Sequence, residues 1–279
     1  MKSFSNKVAA ITGAASGIGR ALALSLAEEG AQLALSDVDE LRLAETRREV
    51  EGRAIAVSST QLDVADRDAV HRWADDVVAQ HGAVHLVFNN AGVGFFDTLD
   101  GTKYEDLEWL MNINFWGVVY GSKAFLPHLE RSGEGHIVNI SSVFGIISVP
   151  GQTAYNAAKF AVRGFSEALA QELELTGKPV GVTSVHPGGI ATNIVKAGRF
   201  GRDAGLFGGR EALVQDFQNR LARTSPDQCA KTILDGVRRG RRRVLVGLDA
   251  HVIDIVQRLL PVSYQRIIVA MMKRERSRA

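Results

Sequence analysis

The feature that most constrains the fold is a junction near the start of the chain. A strand-length apolar run over 7–12 breaks at Thr12-Gly13-Ala14-Ala15-Ser16-Gly17-Ile18-Gly19 and passes with no spacer into RALALSLAEEG, whose apolar residues recur at helical spacing. A strand that turns this tightly into a helix opens a βαβ unit. The rest of the chain keeps the rhythm: strand-length runs at 32–36, 54–57, 84–89, 136–141, 180–186 and 243–246 alternate with helical patterns at about 17–29, 38–51, 66–80, 103–131 and 152–176. Parallel strands need such crossovers, and strands covered on both faces read as continuous apolar runs. The expected architecture is α/β, a doubly wound seven-stranded parallel sheet with helices on both faces, in one domain over 1–279. A chain of 279 residues, 46% of them hydrophobic, can bury one such core.

Glycines 13, 17 and 19 let the backbone turn and approach a pyrophosphate, whose charge the amino end of the next helix favours. The spacing departs from G-x-G-x-x-G, so the strand-turn-helix context carries the reading. Asp37 follows the second run, 18 residues beyond Gly19, close to the ~20 expected of an acid that bonds the adenosine ribose hydroxyls. Its carboxylate repels a ribose phosphate, and Ser36-Asp37-Val38-Asp39 holds no arginine or lysine, so NAD is expected over NADP. Asp37 also suits a cap of the following helix. Asp63 and Val64, after the third run, can offer a carboxylate and an amide to an adenine ring, although Asp63 can equally start the next helix. Asn89-Asn90-Ala91-Gly92 closes the fourth run with small residues that admit close backbone approach.

The stretch 142–159, SVFGIISVPGQTAYNAAK, holds the proton-handling groups. Tyr155 and Lys159, four residues apart on a helical pattern, advance about 6 Å and share one face. Ser142 ends the fifth run at the carboxyl edge of the sheet, where open α/β folds bind ligands. A free phenol with pKa about 10 is a poor base at neutral pH, but a nearby ammonium favours phenolate, as does an oxidised nicotinamide. Asn112 and Asn114 both sit in mid-helix, where asparagine marks a distortion or a polar task, and residue chemistry alone does not choose between them.

The ordered set TGAASGIG, Asp37, Asp63-Val64, NNAG at 89–92, Asn114 in NINFWG, IVNISS at 137–142, Tyr155-x-x-x-Lys159 and HPGGIAT at 186–192 resembles the single-domain short-chain dehydrogenase/reductase family, over roughly 7–190. The resemblance implies a Rossmann-like fold and a catalytic tetrad of Asn114, Ser142, Tyr155 and Lys159, choosing Asn114 over Asn112 and Ser142 over Ser141. It further implies a cofactor site made by Gly13, Ser16, Gly17, Ile18, Gly19, Asp37, Asp63, Val64, Asn90, Ala91, Gly92, Tyr155, Lys159, Pro187, Gly188, Ile190 and Thr192. Asn156-Ala157-Ala158 departs from the family's frequent spacing before the lysine, and the tail beyond about 240 is longer and more basic than the family core.

On this basis Tyr155 is expected to exchange a proton with a secondary alcohol or ketone as hydride moves to or from the cofactor, with Ser142 on the reacting oxygen and Asn114 passing the proton onward by way of a water, Lys159 and the ribose. Two alternatives are nucleotide-sugar epimerase or dehydratase chemistry and a non-catalytic dinucleotide-binding regulator. The glycine-rich 188–209 reads as a long mobile loop, and 190–222, with Phe200, Leu206 and Phe207, as a lid over a lipophilic substrate. Phe95, Phe96 and 143–149 are expected either to extend the same wall or to belong to the core. Helical patterns at 211–220 and 226–239 precede five arginines in 238–243, read as solvated ends of elements. The extension 249–279 is expected to form two amphipathic helices broken at Pro261 that either pack on the core or cover the cleft, join subunits or rest on a membrane, the last three in that order.

A formal charge of +2 gives no reason to expect a nucleic-acid partner, and seven scattered histidines with one cysteine, Cys229, give no metal ligand set. No apolar run reaches signal-peptide length near the amino terminus and none reaches about 18 residues elsewhere, so a cytoplasmic chain is expected. Like many members of the family it resembles, the chain is expected to form a homodimer or homotetramer.

Overall fold

The structure, a computed structural model, describes residues 1–54 and 56–276. Its sheet is built from β1 (Val8–Thr12), β2 (Gln32–Asp37), β3 (Val57–Gln61), β4 (Leu86–Asn89), β6 (Gly135–Ile140), β7 (Val180–Pro187) and β9 (Arg243–Val246), in the order β3-β2-β1-β4-β6-β7-β9 with every pairing parallel. The winding reverses between β1 and β4, which opens a crevice at their carboxyl ends. Successive side chains of β1 explain why its sequence is apolar throughout: Ala9 and Ile11 enter one core, Val8 and Ala10 the other. The first core lies under α1 (Gly17–Glu28) and α8 (Pro226–Arg238), with Leu22, Leu26, Ile233 and Val237. The second lies under α3 (Arg67–His81), α5 (Gly117–Arg131) and α6 (Thr153–Leu175), where Trp73 meets Phe125 edge to face. The doubly wound expectation is met.

Three local expectations need correction. The third strand lies at Val57–Gln61 and not at 54–57, whose Ile55 is outside the described residues. As an edge strand it is only partly covered, so VSSTQ suffices and pairing with β2 selects it; the apolar lead-in is a false signal. The long helical pattern at 103–131 divides into α4 (Tyr104–Met111), a wide π turn at Asn112–Trp116 and α5. The stretch 188–209 is not an irregular loop: β8 (Arg199–Phe200) pairs with β5 (Phe95–Phe96), and a 3₁₀ turn at Ala204–Phe207 leads into α7 (Gly209–Asp216). Two-residue strands formed across a hundred positions carry no period for a local reading to detect.

The remaining helices are α2 (Glu40–Glu51), α9 (Leu248–Leu259) and α10 (Tyr264–Arg276), the last two forming the expected tail pair. Of the arginine run, Arg238 pairs with Glu29 and Asp235, Arg242 with Glu174, and Arg243 with Glu167 and Asp254, so these three serve as surface clamps. Cys229 is buried in α8, where the apolar surroundings push its thiol up to about 12.

His136 and His186 are buried in β6 and β7, and burial pulls both down to about 4. Both are therefore neutral when folded and protonated in the unfolded chain between pH 4 and the unfolded value near 6.5. Their contribution is complete above that unfolded value and is lost as pH falls toward 4, with an upper limit of about 3 kcal/mol each. Denaturant midpoints should fall across this window, and His136→Gln should flatten the slope; an unchanged slope would contradict the assignment.

Candidate active site

The turn from β1 into α1 has the shape of an anion cradle. Gly13 and Gly17 adopt φ of +67° and +54°, a region other residues avoid. A Cβ on Gly19 would lie 2.1 Å from the Gly13 carbonyl oxygen, so no larger residue fits there. Ser16 precedes α1 in extended conformation, makes no side-chain cap, and no acid stands in the first turn. The free amide end of α1 therefore faces a cleft of about 420 Å³ whose lining includes Gly17, Arg20, Thr192, Asn193 and Gln218. Open amides, left-handed glycines and a crevice at the switch point fit a dinucleotide diphosphate; Ile18 lies in this first turn.

Asp37 ends β2 beside the turn. One carboxylate oxygen accepts from the Ala15 amide at 2.9 Å and the other from the Asp39 amide at 3.0 Å. The next helix is capped by Asp39, which accepts from Arg42 N–H, so Asp37 is not that cap. Asp63 likewise is not the helix cap: it accepts from the Ala65 amide, while Asp66 caps α3. Val64 is buried against Gly117. Asn90 donates its side-chain amide to the carbonyls of Thr12 and Gly13, at 2.8 and 3.2 Å, bracing the turn from β4. Thr12, which sequence reasoning passed over, joins these strands: its hydroxyl accepts from the Asn90 and Ala91 amides, both at 3.0 Å. Its signal was a polar residue at the end of an otherwise apolar run.

The wide turn at Asn112–Trp116 separates the two asparagines. Asn114 is fully buried, accepting from Val93 N–H at 2.8 Å and donating to Val93 C=O at 2.9 Å, whereas Asn112 is exposed. The loop after Gly92 is thus pinned across the crevice. The structure also separates the serines: Ser141 donates to the Lys159 carbonyl at 2.8 Å, while Ser142 stands beside Tyr155 and favours its ionised form. Ser142 additionally accepts from Phe144 N–H at 3.1 Å. His186, also passed over, lies 3.0 Å from the Ser142 carbonyl through Nδ1, and as a neutral ring it braces that backbone.

Tyr155 and Lys159 share the inner face of α6. The Lys159 ammonium donates to the Ile140 carbonyl at 3.0 Å and stands 5.6 Å from the Tyr155 ring centre. Burial pushes Tyr155 up to about 12, Ser142 opposing, and pulls Lys159 down to about 8. Desolvation thus works against the charged form of both groups.

Pro187 ends β7, and the Gly188 amide donates to Val246 at 2.9 Å. Asp249 of α9 accepts from the Gly189 amide at 2.7 Å, a contact no local pattern announced. Ile190 is buried and bridges Thr224, and Thr192 reaches over Gly17. Beyond them Phe200 stacks on Phe96 at 4.9 Å, Phe207 lies against Gly151, and Asp97 and Thr98 both bond Asp203. The segment 190–222 is thereby tied to β5 beside the start of α6.

A family model described as short chain dehydrogenase matches residues 7–201. A Mycobacterium tuberculosis protein named as an oxidoreductase, SadH, is 53% identical over 272 residues, covering 97% of this chain and 96% of that protein. A short-chain dehydrogenase/reductase from Burkholderia phymatum, solved in complex with NAD, superimposes with a TM-score of 0.87 at 30% identity, over 95% of this chain and 97% of that one. An alcohol dehydrogenase from Thermococcus sibiricus, complexed with 5-hydroxy-NADP, does so with a TM-score of 0.71 at 26% identity, over 87% and 96%.

Proposed function

This chain belongs to the short-chain dehydrogenase/reductase family, and on that premise we propose that it is an oxidoreductase acting on a lipophilic secondary alcohol or ketone with NAD in preference to NADP. The observation that carries the reading is the buried group of Ser142, Tyr155 and Lys159, with the Lys159 ammonium 5.6 Å from the Tyr155 ring centre at the carboxyl end of β6. The nicotinamide cofactor, when bound, supplies the hydride acceptor or donor.

Gly13, Ser16, Gly17, Ile18 and Gly19 would hold its diphosphate and Asp37 the adenosine ribose. Asp63 and Val64 would meet the adenine, Asn90, Ala91 and Gly92 the central part, and Pro187, Gly188, Ile190 and Thr192 the nicotinamide end. Ser142 hydrogen-bonds the reacting oxygen, and Tyr155 takes or returns its proton. Because burial holds Tyr155 near 12, the phenolate needs cationic support, and Lys159, at about 8, is still mostly protonated at neutral pH and provides it. Lys159 would also hold the nicotinamide ribose and so orient the ring beside Tyr155. Both ends of the Asn114 amide are engaged by Val93, so its share in passing the proton onward through a water falls to carbonyls released by the wide turn.

Segment 190–222 acts as the lid, with Phe200, Leu206 and Phe207 toward an apolar substrate. Exposed Trp116 and Phe160 on the helical face support a homodimer or homotetramer as the working form.

A screen of secondary alcohols, steroids and ketones with each cofactor tests this reading. Net production of reduced NAD is expected, with kcat/KM for NAD above that for NADP by tenfold or more, and Asp37→Ser should remove about tenfold of that preference. Preference for the phosphorylated cofactor overturns the assignment of Asp37. Nucleotide-sugar conversion with no net redox change overturns the dehydrogenase reading.

A further inference from the structure

We propose that the hairpin of α9 and α10 docks in the plane of an anionic phospholipid surface. The sides of α9 are reversed relative to an ordinary surface helix. Its acids are engaged by the body of the protein: Asp249, though exposed, accepts from the Gly189 amide, and buried Asp254 pairs with Arg243 and Arg258. Its outer side carries Leu248, Val252, Ile255 and Leu259, at i, i+4, i+7 and i+11, exposed by 81, 51, 56 and 74%. Beyond Pro261, exposed Val262, Ile267 and Met271 continue the apolar surface.

Exposed Arg266 and Lys273 rim this face, and the acids within 248–274 are Asp249, held by the Gly189 amide, and Asp254, neutralised by Arg243 and Arg258. A rim of one sign selects the occupant. A second copy on the same face would bring these cations against their own counterparts, whereas anionic headgroups neutralise them. Helices of 12 and 13 residues are roughly 18–20 Å long, too short to cross about 30 Å of hydrocarbon, so an in-plane position follows. Among the described residues no helix is long and apolar enough to cross a membrane.

The hairpin is rooted next to the catalytic serine. Tyr264 is buried with Ile146 and Ile147, and its hydroxyl accepts from the Ser148 amide at 3.1 Å. A docked hairpin therefore sets the segment after Ser142 close to the lipid boundary, where a lipophilic substrate is concentrated. The docking itself does not depend on the hydride chemistry.

Flotation of the full chain with vesicles of phosphatidylcholine, alone or mixed with phosphatidylglycerol, tests the proposal. The chain should float with the mixed vesicles at low salt and be released at ~0.5 M, where screening shortens to roughly 4 Å. V252E/I255E should abolish flotation, and R266A/K273A should weaken it roughly thirtyfold, from about fivefold per cation. All these residues lie outside the catalytic machinery, so turnover of a water-soluble alcohol should be unchanged. No flotation with anionic vesicles, or flotation that V252E/I255E leaves intact, overturns the proposal. Dissociation of an oligomer by V252E/I255E in the absence of lipid overturns it as well and assigns the face to a second copy.

Discussion

Tyr155→Phe should lower turnover by a factor of roughly 10² to 10⁴ while cofactor affinity stays within about threefold. The phenyl ring keeps the edge-to-face contact with Phe144 and the burial that α6 provides. Only the hydroxyl beside Ser142 is removed. Stability should change little, because the phenyl costs less to desolvate than the phenol. Stopped-flow turnover combined with fluorescence titration of the cofactor separates the two effects. A variant that turns over within tenfold of the parent protein would remove Tyr155 from proton transfer and leave its place beside Ser142 a matter of packing.

Gly19→Ala should weaken cofactor binding by about a hundredfold and destabilise the fold by about 1–3 kcal/mol. The new methyl would stand 2.1 Å from the Gly13 oxygen and 2.6 Å from the Asn90 amide nitrogen. Neither group can withdraw: Asn90 is bonded to the Thr12 and Gly13 carbonyls, and Gly13 is closed in by Ala91. The turn must open, and the amides at the start of α1 lose the position from which they meet a phosphate. Gly52→Ala is the matched control. Gly52 closes α2 at φ −78° with nothing within 4 Å of an added Cβ, so it should be neutral or slightly stabilising. Equal losses from both substitutions would show that the crowding at Gly19 is relieved elsewhere.

Most of the fold was legible because a doubly wound sheet is assembled from units whose period is local. Lys7 to Gly30 reads as strand, turn and helix without knowledge of any other segment, and six of the seven main strands lie within two residues of their apolar runs. The exception, β3, is an edge strand chosen by its neighbour and not by its own apolarity. The site was legible to the extent that it hangs on those units. The glycines, Asp37, Tyr155 and Lys159 sit at strand ends or on a helix face, where spacing alone predicts direction.

What the chain determines by itself is therefore periodic and short-range: the parallel architecture, the anion cradle before α1, and the shared face of Tyr155 and Lys159. What only the tertiary structure decided involves residues distant in sequence. Val93 engages Asn114 and leaves Asn112 exposed; the Lys159 carbonyl takes Ser141, while Ser142 stands beside Tyr155. β5 finds β8 across a hundred residues, and the acids of α9 are engaged by Gly189 and Arg243 while its leucines face out. The physical reason is the same in each case. A polar group or a two-residue strand gains its stability from one particular partner, and which partner reaches it depends on how the intervening chain has packed.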